Sequence, residues 1–370
     1  MTDRWQALQA EWFEASEHGR LADVRRLLKD GVHIEARDAH GRTALMLAAK
    51  GRQLGVVHAL LAHRARTDAR DSMGWTAQTY AVNRPSPHFS AENPWKSTVG
   101  PSREIFDILR DAGGKFGLRE AVLLGDVRLI RSLCHDGADP SGNARWYYHD
   151  THLMVATDVG EIDSVRALLE LGADIEGEDD LGDRAMMRAA TAGRVDLATL
   201  LLDRGADLDK PNWAWVTPLS MAALEGQPGV VELFLRRGAR RDLLDAIACD
   251  DIPLLRSILE NPSVRNGIPD YPDRSHHAPF GRPAMYAARR GNAEAVDLLL
   301  RHGAEPDAAG HENESPMAVA AFHGHAAVVR VLLSAGARVD AVGRGNLTAL
   351  DWAIRGGHEE VIRLLQPPSG

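Results

Sequence analysis

The sequence predicts an all-α repeat array in which short antiparallel helix pairs stack one on the next. Three observations carry this reading. Similar segments recur at a step of 33 residues. Each segment presents the same ordered signals: a helix start, a run of small residues, a glycine and a Leu-Leu pair. And at 370 residues the chain exceeds what one hydrophobic core organises, which favours an array or several domains.

The clearest units run in order. Thr43 opens "TALMLAAKGRQLGVVHALLAHRA" and Thr76, 33 residues on, opens "TAQTYAV". Thr151 opens "THLMVATDVGEIDSVRALLELGAD", Arg184 opens "RAMMRAATAGRVDLATLLLDRGAD" and Thr217 opens "TPLSMAALEGQPGVVELFLRRGA" at the same step. Near the C-terminus Arg282, Ser315 and Thr348 open three more. Weaker units start at Ala10, Phe116 and Arg241, so the starts fall at 10, 43, 76, 116, 151, 184, 217, 241, 282, 315 and 348.

Each signal has a physical reason. Thr or Ser at the start suits a helix N-cap, and Pro218, Pro283 and Pro316 suit the first helical position. Ala-Ala pairs such as Ala48/Ala49 and Ala320/Ala321 let a short first helix pack closely on its neighbours. A glycine such as Gly193 or Gly324 breaks that helix, and Leu-Leu pairs such as Leu60/Leu61 and Leu299/Leu300 bury a second one. No unit hides its apolar side alone, so stability comes from interfaces between neighbours.

This register resembles the ankyrin repeat: Thr-Pro-Leu-x-x-Ala-Ala, then Gly, then Val and Leu-Leu, then Gly-Ala-Asp. The resemblance implies an all-α ankyrin-repeat solenoid of about eleven helix-turn-helix repeats joined by short β-hairpin fingers, forming one array over 1–366 with a tail at 367–370. The period breaks in the middle. The step from 76 to 116 is longer and includes a proline-rich loop, 83–102, whereas the step from 217 to 241 is too short to hold a finger, as is the joint before 116. The unit at 241 instead carries a long finger, 261–281.

In this family, finger tips and the ends of first helices line a concave groove, and the resemblance implies binding rather than turnover. Carried onto this register, the groove residues are Trp75, Arg84, Tyr147, Tyr148, Asp150, Asp158, Asp183, Trp213, Trp215, Glu225, Tyr271, Arg289, Arg290 and His323. The stretch "ARWYYHDT" (144–151) concentrates aromatics in a chain with only 5% of them, and exposed Trp, Tyr and Arg are what binding hot spots favour. The opposing expectation is that these rings fold back as local packing. Trp12, in a terminal unit, is expected to cap the core.

The function expected is a scaffold or adaptor for a protein or peptide, monomeric and without cofactor. The alternative is a small-molecule site or enzyme in which the 261–281 finger closes the groove and His276 or His277 works with Asp150 or Asp158. Neither "HDTH" (149–152) nor "SHH" (275–277) has the ligand set a metal centre needs, so no metal is assigned. Cys249 falls at the groove edge and Cys134 in a Leu-Leu slot, where it should be buried and inert.

Composition excludes other classes. A net charge of −9 with pI near 6.0 argues against a nucleic-acid backbone as partner. No stretch approaches the roughly 20 apolar residues that cross a bilayer, and the charged N-terminus lacks the apolar run of a secretion signal. Two cysteines fit a reducing compartment, so a cytoplasmic location is expected.

Overall fold

First helices begin where the sequence puts a hydroxyl. In the computed structural model, Thr43, Thr76, Thr217, Ser315 and Thr348 each accept a hydrogen bond from the backbone N–H three residues on. Thr151 does the same for Met154, at 3.2 Å. Pro218 and Pro316 occupy the first turn, where a missing N–H costs nothing. The structure describes residues 2–83, 102–144, 149–213, 216–260, 283–308 and 314–366. The loop 84–101, the whole of the 261–281 finger, and with them Arg84, Tyr147, Tyr148, Trp215, Tyr271, His276 and His277 lie outside the described residues.

Within these, eleven helix pairs follow in chain order. They are α1 (Thr2–Glu17) with α2 (Leu21–Lys29), α3 (Ala44–Lys50) with α4 (Leu54–Ala62), α5 (Ala77–Val82) with α6 (Arg103–Asp111), and α7 (Leu118–Leu124) with α8 (Val127–His135). Then come α9 (His152–Val159) with α10 (Ile162–Glu170), α11 (Ala185–Thr191) with α12 (Val195–Asp203), and α13 (Pro218–Leu224) with α14 (Pro228–Arg236). The last are α15 (Leu243–Ala248) with α16 (Ile252–Leu259), α17 (Pro283–Arg290) with α18 (Ala293–Arg301), α19 (Pro316–Phe322) with α20 (Ala326–Ser334), and α21 (Ala349–Gly356) with α22 (Glu359–Leu365).

The helices form two compact units, one of residues 1–144 and 155–174, the other of 145–154 and 175–370. In the first, Leu45, Leu60, Phe106 and Leu109 are buried and Trp12 is sealed beneath the first pair. In the second, Leu244, Ile247, Tyr286, Leu299, Val329, Leu332 and Val361 form one continuous core through successive pairs. No described helix is long and apolar enough to cross a membrane.

Most first helices end on a residue in the left-handed region, usually glycine. Arg52 (φ 60°) and Asp250 (φ 55°) take that slot instead, at a backbone cost of about 1–2 kcal/mol. Both are held by their side chains. Arg52 donates to the carbonyls of Ala49 (2.7 Å), Tyr80 (2.6 Å) and Asn83 (3.1 Å). Burial pushes its pKa down to about 10. Asp250 accepts from Arg290 (2.7 Å) and Asn292 (2.9 Å).

The fingers differ from expectation. Among the described residues they contain no β-strand. Asp38 Oδ1 accepts from the N–H groups of His40 and Arg42, Asp71 Oδ1 from Met73 and Trp75, and Asp179 Oδ1 from Leu181 and Asp183. One carboxylate thus takes the donors that a ladder partner would have taken, and the finger closes as a turn. The two expected fingerless joints are present: only residues 112–117 separate α6 from α7, and only 237–242 separate α14 from α15.

At the second joint Asp242 caps α15, while the Asp245 carboxylate accepts from the Asp242 N–H and from Thr217 and Ser220 hydroxyls. Burial, then the neighbouring Asp245 charge, pushes the Asp242 pKa up to about 6. A folded value above the unfolded one means that the folded state binds the proton more tightly. The penalty is therefore complete above about pH 6 and is relieved as pH falls toward 4. Asp242→Asn keeps the cap and removes the charge, so thermal unfolding should show a gain of up to about 3 kcal/mol at pH 7, two pKa units' worth, that vanishes near pH 4. A gain independent of pH would refute this account.

Candidate functional site

The fingerless joint shapes the middle of the second unit. With α15 only six residues long, side chains from α17 reach past it to the pair before. Arg289 pairs with Glu225 at 3.3 Å, and Arg290 donates to the Ala223 carbonyl at 3.2 Å while holding Asp250. Three of the residues expected on the groove, Glu225, Arg289 and Arg290, are brought together as a charged seam. Beside it an open trough is lined by Gln227, Leu235, Arg241, Cys249 and Asp250. Burial pushes the Cys249 thiol up to about 11, so it stays protonated near neutral pH and is no nucleophile. Cys134 is half-buried rather than buried, and its thiol is likewise raised by burial.

A second cluster sits at the fingers before α11 and α13. Trp213 donates its backbone N–H to the Leu181 carbonyl, and its ring lies against Gly182. A Cβ at Gly182, whose φ is 74°, would fall 2.3 Å from the ring, so only glycine leaves room for it. Trp213 nonetheless remains 45% exposed. Asp183 accepts from the Asn212 amide at 2.8 Å at the base of the same finger. His149 pairs with Asp180 at 2.8 Å on the exposed tip.

Two expected groove residues are buried instead. Trp75 is 3% exposed: its ring meets Tyr80 edge-on at 5.4 Å and Arg119 lies over it at 5.1 Å. Asp71 fixes both its backbone N–H (2.8 Å) and the Tyr80 hydroxyl (2.7 Å), which turns the ring inward. Asp150 is 7% exposed because Arg188 covers it, bridging Asp150 and Asp179 at 2.8 Å each. That pairing also takes Asp150 from the proposed acid-base role. Asp158 is exposed in the first unit, and the histidines assigned to work with either acid lie outside the described residues. Among the described residues no group of three or more His, Cys, Asp or Glu converges to hold a metal.

The sequence reading missed Trp352. It meets Phe322 edge-on at 5.3 Å, Arg355 lies 5.5 Å over its ring, and His323 meets Phe322 at 5.0 Å. In the unit at 348 the fourth residue after the repeat start carries this ring, and its size there was the signal.

The model for ankyrin repeats in three copies matches residues 12–88, 118–212 and 284–369, most of the chain. The chain belongs to the ankyrin repeat family. A mitochondrial disaggregase of Bos taurus is 31% identical over 134 residues, 35% of this chain and 19% of that protein, so the match spans about a fifth of the relative's length. The crystal structure of the human ASB11 ankyrin repeat domain is similar at 20% identity and a TM-score of 0.36, covering 69% of this chain and 100% of that one.

The Asp150–Arg188–Asp179 bridge gives a test. Burial, then the Asp183 charge, pushes the Asp179 pKa up to about 6 despite Arg188, so Arg188 holds a site that resists ionisation. Arg188→Met leaves two buried carboxylates unpaired and should cost about 3–5 kcal/mol at pH 7. Without Arg188 the Asp179 pKa rises further above 6, so on acidification the loss should begin to shrink above pH 6 as Asp179 takes up its proton. A loss that stays constant with pH in denaturant titrations would contradict the assignment.

Proposed function

We propose that the second unit is a protein- or peptide-binding surface, made from finger tips and the ends of first helices. Repeats of this family serve generally as protein-interaction scaffolds. The observation that carries the reading here is Trp213: a large ring, half out of solvent contact, fixed by a backbone bond and by a glycine seat. An exposed aromatic held in one conformation loses little entropy on binding, which is what an anchor requires. The Glu225–Arg289–Arg290 seam supplies charges that set the register of a bound segment. In this reading the protein works as a monomeric cytoplasmic adaptor and turns nothing over.

The test is a selection of random twelve-residue displayed peptides on the full chain, followed by affinity measurements with Trp213→Ala. Selected peptides should bind the variant roughly tenfold or more weakly, about 1–2 kcal/mol, with the melting temperature unchanged. Equal binding to both proteins, or a fall in melting temperature without a fall in affinity, would make Trp213 a packing residue and end the proposal.

A further inference from the structure

The last three repeats carry a second feature. At the seventh position after each start stand Arg289, Phe322 and Arg355, 33 residues apart, so one phenylalanine lies between two arginines of adjacent repeats. Phe322 is 50% exposed, an unusual placement for a ring beside a core of this quality. Next to it a pocket of about 290 Å³ is lined by Arg289, Glu314, Ala318, Val319, Phe322, His323 and Trp352. Its walls are mostly hydrocarbon and aromatic. At this volume it is at the lower limit of ligand cavities and suits a single large side chain.

The charges around it are not balanced. Arg289 is paired with Glu225, but Arg355, exposed over the Trp352 ring, makes no ion pair among the described residues. Of the nearby acids, Asp351 caps α21 through the Thr348 N–H (2.8 Å) and hydroxyl (2.7 Å) and feels the Arg355 charge without forming an ion pair with it, and Glu314 has interactions of its own. Burial, then Arg289 and the neighbouring His325 and His358 rings, hold the His323 pKa below the usual histidine range. A carboxylate brought to this rim meets the guanidinium groups of Arg289 and Arg355.

From these placements we infer that the pocket between Phe322 and Trp352 takes one large apolar side chain of a partner segment, and that an acidic residue within about three positions of it pairs with Arg355. Adjacent helices pack about 8–10 Å apart and an extended chain advances about 3.4 Å per residue, which sets that spacing. This rests on the peptide-binding reading and adds to it a second anchor with a stated chemistry.

The probe is an acetylated, amidated peptide, Gly-Ser-Asp-Gly-Phe-Gly-Asp-Ser-Gly, titrated into the full chain while the Trp352 indole N–H is followed by NMR, assigned with Trp352→Phe. Saturable binding with Kd on the order of 1 mM or tighter is expected. Replacing both Asp by Lys, or Phe by Ala, should weaken it at least about tenfold, since a lost anchor or a reversed charge each forfeits more than 1.4 kcal/mol. Phe322→Ala should abolish it and Arg355→Gln should weaken the Asp peptide but not the Lys peptide; both residues are exposed, and an unchanged melting temperature checks the fold. Equal binding of the Asp and Lys peptides, indifference to Phe322→Ala, or no saturation by any of the peptides overturns the inference. If that happens while library-selected peptides still depend on Trp213, this pocket fails alone; if those peptides are also indifferent to Trp213, the binding reading fails with it.

Discussion

Two helices of seven to nine residues cannot hide their own apolar sides, and every other feature of this protein follows from that constraint. Helices this short are marginal in isolation, so they exist because neighbours on both sides bury them. The close approach this demands explains the alanine pairs, fully buried at Ala48, Ala49, Ala320 and Ala321. It also explains a stitch that repeats down the chain. The residue after the left-handed turn reaches back to a carbonyl of the preceding pair: Gln227 to Thr191, His325 to Arg289, His358 to Phe322. Their side chains fill the space that a Cβ on Gly193, Gly291 or Gly324 would occupy, so glycine is needed there for room as well as for φ.

Most of the scaffold was legible because it is set by local, repeated physics. Caps, first-turn prolines and helix breaks depend on one or two residues each, and the 33-residue step shows them many times over. The site was less legible because exposure depends on what the neighbouring repeat supplies. Trp75 stands one residue before a repeat start and Trp213 four before another, and the sequence reading put both on the groove. Asp71, Tyr80 and Arg119 draw the first ring inward, while Gly182 gives the second a shelf at the surface. Asp150 reads as a solvated finger acid until Arg188, from the next pair, comes down on it. The rings of Phe322 and Trp352 lie 30 residues apart in sequence and meet only because adjacent first helices stack in register.

Buried charge is handled in more than one way. In the first unit Arg52 donates to backbone carbonyls at the ends of α3 and α5, where helix dipoles favour a cation, and Arg42 pairs with Asp38. In the second, charge is managed in pairs and triads: Arg188 between two aspartates, Asp245 between two hydroxyls, Arg290 on Asp250. The second unit thus carries two acids, Asp179 and Asp242, that burial holds near pH 6.

The short joint at 237–242 has a consequence for how the molecule comes apart. An array whose members touch only their immediate neighbours behaves as a one-dimensional chain, and can fray one member at a time. Here Arg289 and Arg290 connect the repeat at 282 directly to the repeat at 217, skipping the one between, while Asp250 of that skipped repeat is held by the same arginine. That is a next-nearest-neighbour coupling, and opening at this joint has to break it in addition to the interfaces between neighbours. Three repeats therefore share contacts at the place where the period of the sequence is at its least regular.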